Sequence, residues 1–130
     1  MILTARLAEA VVTTSKRHLG REFVYEKFNC VHFIRSVYEE VGIALPLLDR
    51  FGYPPSSFHL SDTELVTMPL GHSLFLKRRL SQVRRFWTHV ALIVSAGEVI
   101  HCSRHFGKMV TITPIDKLWE IYALAPKPPP

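Results

Sequence analysis

The sequence predicts an α+β domain. Apolar residues recur at helical spacing twice in the first third of the chain, and from about residue 72 the pattern changes to short β-rich runs separated by turn residues. Helices segregated from a run of strands are the mark of that class. The length of 130 residues with 48% hydrophobic side chains fits one domain with a real core. A single unit is expected over 1–125, with 126–130 as a proline-rich C-terminal tail of polyproline type.

Leu3, Leu7 and Val11 define an amphipathic helix over about 3–18, stopping before Gly20. Phe23-Val24-Tyr25 follows as a short extended piece. Asn29 is a good N-cap, and behind it Cys30, Phe33, Ile34, Val37, Tyr38 and Val41 repeat at three and four. This predicts a helix over about 30–41, ended by Gly42, with an extended exit through Ile43-Ala44-Leu45-Pro46. Prolines and serines make 46–70 a long loop, with a helical turn near 62–66. Strands are expected at 73–76, 87–95, 99–103, 109–113 and 121–124, with Ala96-Gly97 as the tight turn of a hairpin. Together they form an antiparallel meander of about five strands. The basic run Lys77 to Arg85 lies between the first two as a solvated loop.

Net charge is +5 with histidine neutral, so an anionic partner such as an acidic polymer fits, although simple solubility explains the charge equally well. The basic run lacks the repeated aromatic residues of single-strand binders, which argues against nucleic acid. Arg84 or Arg85 is instead a candidate holder of a substrate carboxylate. No apolar run is long enough to span a bilayer. The N-terminus shows no basic start, apolar stretch and cleavage site, so no secretory signal is read. That leaves a cytoplasmic location and export by another route both open. Oligomeric state is not encoded in any visible pattern.

Cys30 is the residue with most chemistry in it. It stands in the first turn of the best helix, where free amides and the helix dipole favour an anion. A thiolate there is expected to have its pKa lowered from about 8.5 by a unit or more, which a structural cysteine does not need. The same amides suit a developing oxyanion. A thiolate nucleophile also needs a base, and the base an orienting partner. His89 opens the most apolar strand, and His101 lies on its hairpin partner. The two are off direct register, but sheet twist brings both toward one end, where His101 can fix the His89 tautomer. His18, His59 and His72 read as loop or surface residues.

Three segments together resemble the NlpC-type papain-like cysteine peptidases of bacterial cell walls. Tyr25-Glu26-Lys27-Phe28-Asn29-Cys30-Val31-His32-Phe33, continued by Val41-Gly42-Ile43-Ala44-Leu45-Pro46, is similar to the family's aromatic–Asp-Cys-Ser-Gly-Phe helix and its Gly-Ile-x-Leu-Pro exit. Pro69 to Leu76 resembles its Pro-Gly-Asp-Leu strand. His89 to Val94 with Val99-Ile100-His101-Cys102 resembles its His-Val-Gly-Ile-Tyr and Ile-His-Ala pair. The resemblance runs from about 19 to 124 and implies a papain-like core, with N-terminal helices packed on the sheet. It implies Cys30 as nucleophile, His89 as base and His101 as orienting residue, with Tyr25 and Asn29 on the substrate or oxyanion side. It further implies hydrolysis of the γ-D-glutamyl–diamino acid bond of a peptidoglycan stem peptide through a thioester acyl-enzyme, with no cofactor, and a bacterial or phage source. Asn29 stands where the family has Asp, Val31-His32 where it has Ser-Gly, and His72 where it has Asp.

Three other readings remain open. One is an amidase or thioesterase of the same core acting on a substrate outside the wall. Another is an inactive binding or assembly module. The last is a metal site from His101, Cys102 and His105 with Cys30 or His32, although that spacing on strand and turn is unlike a zinc motif, and no metal is expected.

Overall fold

The structure, a computed structural model, describes residues 3–43, 69–80 and 86–126. Most of the 46–70 loop, its turn near 62–66, His59, Arg84, Arg85 and the tail beyond Pro126 lie outside the described residues. The expected α+β architecture is observed. Its elements are α1 (Ala5–Lys16), α2 (Cys30–Glu40), β1 (Ser73–Arg78), β2 (His89–Ser95), β3 (Glu98–Ser103), β4 (Met109–Pro114), α3 (Ile115–Leu118) and β5 (Tyr122–Leu124).

Local chemistry fixes both long helices. Thr4 caps α1 by accepting from the Leu7 N–H at 3.2 Å. Asn29 caps α2, its side-chain oxygen accepting from Val31 N–H at 3.0 Å and His32 N–H at 3.2 Å. His32 Nδ1 returns the favour to the Asn29 N–H at 3.3 Å. This is a capping box with histidine in the place of the usual Glu or Gln. Val11 of α1 and Phe33, Ile34, Val37 and Tyr38 of α2 point inward. His18, expected at the surface, is partly buried: its Nε2 meets Glu40 Oε1 at 2.9 Å and its ring edges onto Phe33 at 5.6 Å. It ties the end of α1 to the end of α2.

The sheet order is β4-β3-β2-β1-β5, with all neighbours antiparallel. Strands β1 to β4 follow the expected meander. Strand β5 does not; it returns to pair with β1 through Leu76↔Leu124 and Arg78↔Tyr122. The cause is α3, a single turn unread in the sequence, whose Ile115 and Leu118 pack on the sheet face away from α1 and α2. Lys77 and Arg78 belong to β1 rather than to a loop.

Strand alternation divides the core in two. Phe75, Val90, Leu92, Val94, Ile100, Cys102 and Val110 pack with α1 and α2. Leu74, Leu76, Ala91, Ile93 and Val99 pack with α3 and Tyr122. Gly71 and His72 lead into β1 against α1. A side chain at Gly71 would meet Ala8 backbone atoms at 3.1 Å, and its φ is +78°, so glycine suits the position twice over. His72 is buried, which corrects the surface assignment: its carbonyl accepts from the Ile93 N–H at 3.1 Å and its Nε2 from the Leu3 N–H at 3.5 Å. Its place at the α1–β1 junction, not its polarity, decides its burial.

Candidate active site

The Asn29 cap puts Cys30 at the first residue of α2, facing β2. Strand β2 is not fully paired there. Its pairing with β3 begins at Leu92↔Ile100, so His89 to Ala91 stand apart from β3. Ile93 bonds toward His72 and Gly71 on the β1 side. Alternation along an antiparallel strand therefore turns the Val90 N–H toward the gap. The Cys30 thiol sits at that amide, with the amides of Val31 and Cys30 itself also directed at it. An ionised thiol here is felt by Cys102 from the helix side of the sheet and by Tyr122 from the other.

Those three amides favour the thiolate, but burial outweighs them and pushes the Cys30 thiol up from its ordinary 9.0. This reverses the lowering expected from the helix N-terminus. The residue as a whole is only half-buried, yet its sulfur lies against the apolar cluster around Phe33 and Cys102. At this site the cost of desolvating the anion exceeds what the three amides return.

His89 and His101 meet directly, His89 Nε2 lying 2.8 Å from His101 Nδ1. Extending the Leu92↔Ile100 register sets His89 opposite Ser103, so His101 is its diagonal neighbour on one face. Long rings reach across that diagonal. The His101 Nε2 in turn lies 2.9 Å from Thr113 Oγ1 on β4. The His89 ring stacks on Tyr122 at 4.7 Å and 11°, and the Tyr122 hydroxyl meets Ser103 Oγ at 2.9 Å. Burial, then the neighbouring His101 and His105, hold the His89 imidazole well below 6.5, and burial takes His101 down to about 4. Both rings are neutral at neutral pH.

Of the residues singled out in the sequence, then, His89 and His101 are in contact, and Cys30 is lodged at the residue after His89. Among the described residues no hydrogen bond joins Cys30 Sγ to the His89 ring. His89 uses Nε2 on His101, so Nδ1 is the nitrogen left for the thiol. Asn29 is occupied as the α2 cap. Tyr25 is 71% exposed on the 24–28 turn, where Glu26 adopts φ 63°. Sequence reasoning missed Thr113, the Val90 amide and the stacking role of Tyr122. The first had a signal: Thr111 and Thr113 alternate on one face of β4, and Thr111 is the register partner of His101.

Among the described residues no three His, Cys, Asp or Glu side chains gather to hold a metal ion. His101, the centre of the metal reading, is engaged on both ring nitrogens. No helix among them is long and apolar enough to cross a membrane.

No family model matches the chain, and no curated protein is significantly similar to it. Solved structures do match. NlpC1 from Trichomonas vaginalis is 18% identical with TM-score 0.65, over 96% of this chain and 44% of that one. An NlpC/P60 family protein from Bacillus cereus ATCC 10987 is 23% identical with TM-score 0.66, over 92% and 39%. A protein similar to a lipoprotein of the NLP/P60 family from Staphylococcus aureus Mu50 is 16% identical with TM-score 0.66, over 98% and 44%. The chain has the papain-like fold of the NlpC/P60 proteins. It spans less than half the length of each of these solved chains.

Proposed function

We propose that the protein is a cysteine hydrolase that opens an amide bond through a thioester acyl-enzyme. One observation supports this above the others. A thiol at a helix N-terminus, met by three backbone amides, adjoins a buried His–His pair at 2.8 Å. In this reading Cys30 Sγ attacks the carbonyl carbon as its proton passes to His89 Nδ1, and the amides of Cys30 and its neighbours receive the oxyanion. His89 then protonates the leaving amine and activates the water that releases the acid. His101 holds His89 in place. Tyr25, 71% exposed on its turn, is assigned to the substrate side as the resemblance implies, and Asn29 acts by holding the helix end that presents the amides. The catalytic unit is 1–125, with 126–130 as a tail.

The substrate we propose is a peptidoglycan stem peptide cut between D-glutamate and a diamino acid, as the three-segment resemblance implies. The test is mass spectrometry of stem peptides incubated with the protein. Release of the diamino acid fragment, with a transient acyl adduct on Cys30, is the expected result. No product from stem peptides, but turnover of other amides or thioesters, overturns the wall assignment and keeps the hydrolase. A stoichiometric complex with no turnover of either replaces the hydrolase by a binding module, a reading favoured by the raised thiol.

The pH dependence follows from the two shifts. His89, lowered below 6.5, stays neutral and able to accept a proton until pH falls through its depressed value. The acid limb of kcat/KM is therefore expected below pH 6.5. Cys30, raised above 9.0, is a neutral thiol at rest, so its labelling by iodoacetamide is slow at neutral pH and keeps climbing with pH, reaching its plateau only above pH 9. A labelling plateau at pH 6–7 would contradict this neutral resting pair.

A further inference from the structure

His101 has a second neighbour that no motif marks. Thr113 Oγ1 lies 2.9 Å from His101 Nε2, and both residues are buried, at 6% and 0% exposure. Thr113 Oγ1 also lies 3.4 Å from Thr111 Oγ1, whose residue is only partly buried. Four groups thus form a line: His89, His101, Thr113 and Thr111, running from the Cys30 gap outward along β3 and β4.

The direction of the protons along that line is decisive. For His89 to accept a proton at Nδ1, that nitrogen must be bare, so its single proton sits on Nε2. The His89 Nε2–H then donates to His101 Nδ1, which must also be bare. His101 consequently carries its proton on Nε2 and donates it to Thr113 Oγ1. The Thr113 hydroxyl, now an acceptor from His101, sends its own hydrogen to Thr111. If Thr113 donated to His101 instead, every bond would reverse, and His89 would hold its proton on Nδ1, useless as a base toward Cys30.

We propose that Thr113 is the positioning residue that sets this polarity: it accepts from His101 Nε2–H, and so keeps His89 Nδ1 unprotonated. The proposal deepens the hydrolase reading and rests on it for its catalytic consequence. Without a hydroxyl at 113, a His101 Nε2–H would be buried with no acceptor, which carries the full desolvation cost of that group. The Nδ1–H tautomer leaves only a bare lone pair there and becomes the favoured state. The change is a proton relocation on both rings, with no net gain or loss of charge.

The test is nitrogen-15 NMR of histidine-labelled protein at pH 7, which reads the tautomer of each ring directly. Wild type is expected to show His89 and His101 both protonated on Nε2. Thr113→Val moves both to the Nδ1–H form, and Thr113→Ser restores the wild-type spectrum. On an accepted substrate Thr113→Val lowers kcat by about tenfold to a hundredfold, and Thr113→Ser recovers it. A wild-type spectrum with His89 protonated on Nδ1 overturns the proposal without any variant, as does a folded Thr113→Val protein with unchanged tautomers. If the tautomers behave as stated and no amide is cleaved, the hydrolase reading fails while the relay stands.

Discussion

The His89→Ala protein is expected to turn over an accepted amide about a thousandfold more slowly than wild type, and Cys30→Ala not at all. The size of the first effect comes from the resting state of the pair. Burial raises the Cys30 thiol and lowers the His89 imidazole, so there is no standing thiolate to fall back on when the base is removed. In a site that stores the ion pair, losing the histidine leaves a residual nucleophile. Here the sulfur must lose its proton during attack, and Val90, Val31 and Cys30 amides alone do not suffice against desolvation. Steady-state kinetics on stem peptides checks the prediction, with thermal unfolding to show that both variants fold. Because alanine leaves His101 Nδ1 facing a hole, a modest fall in Tm is expected in the His89 variant. A His89→Ala protein within tenfold of wild type would show that His89 is not the base.

How far the sequence revealed this site depends on what kind of signal each residue leaves. Cys30 was legible because an N-cap, an apolar repeat and a reactive side chain coincide within a few positions. The His89–His101 contact was legible only as a tendency. Register counting leaves the two residues offset, and the splay of β2 from β3 beyond Leu92↔Ile100 is a tertiary fact. The helix N-terminus, a local feature, points to a lowered thiol pKa, whereas the desolvating cluster forms only when Val90 of β2 and Cys102 of β3 close on Phe33 of α2. His72 failed for the same reason: its burial comes from α1 crossing β1, and nothing beside it in sequence announces that. Strand β5 reads clearly as a strand, but its place beside β1 depends on the short α3, whose four residues are too few to show a period.

Acid should destabilise the protein earlier than its carboxylates alone require. His101 is fully buried and titrates at about 4 when folded, against 6.5 when free. A group with a lowered folded pKa binds its proton more readily in the unfolded chain, so stability is lost as pH falls from 6.5 and the loss is complete near 4. For His101 the difference corresponds to about 3 kcal/mol. His89 is lowered as well and acts with the same sign, although protonating one ring of a pair at 2.8 Å hinders the other, so the two effects do not simply add. The His18–Glu40 pair has 46% of the glutamate side chain exposed and contributes little against this trend. Thermal unfolding is therefore expected to be flat from pH 7.5 to about 6.5 and to fall steadily between 6.5 and 4. Replacing His101 by asparagine, which cannot take up a proton, lowers Tm at pH 7 but removes much of that slope. A wild-type Tm that holds level down to pH 4.5 would mean that the His89–His101–Thr113 line is hydrated, with its histidines free to charge in the folded state. A hydrated line of that kind could not hold the single proton arrangement that a base at His89 needs.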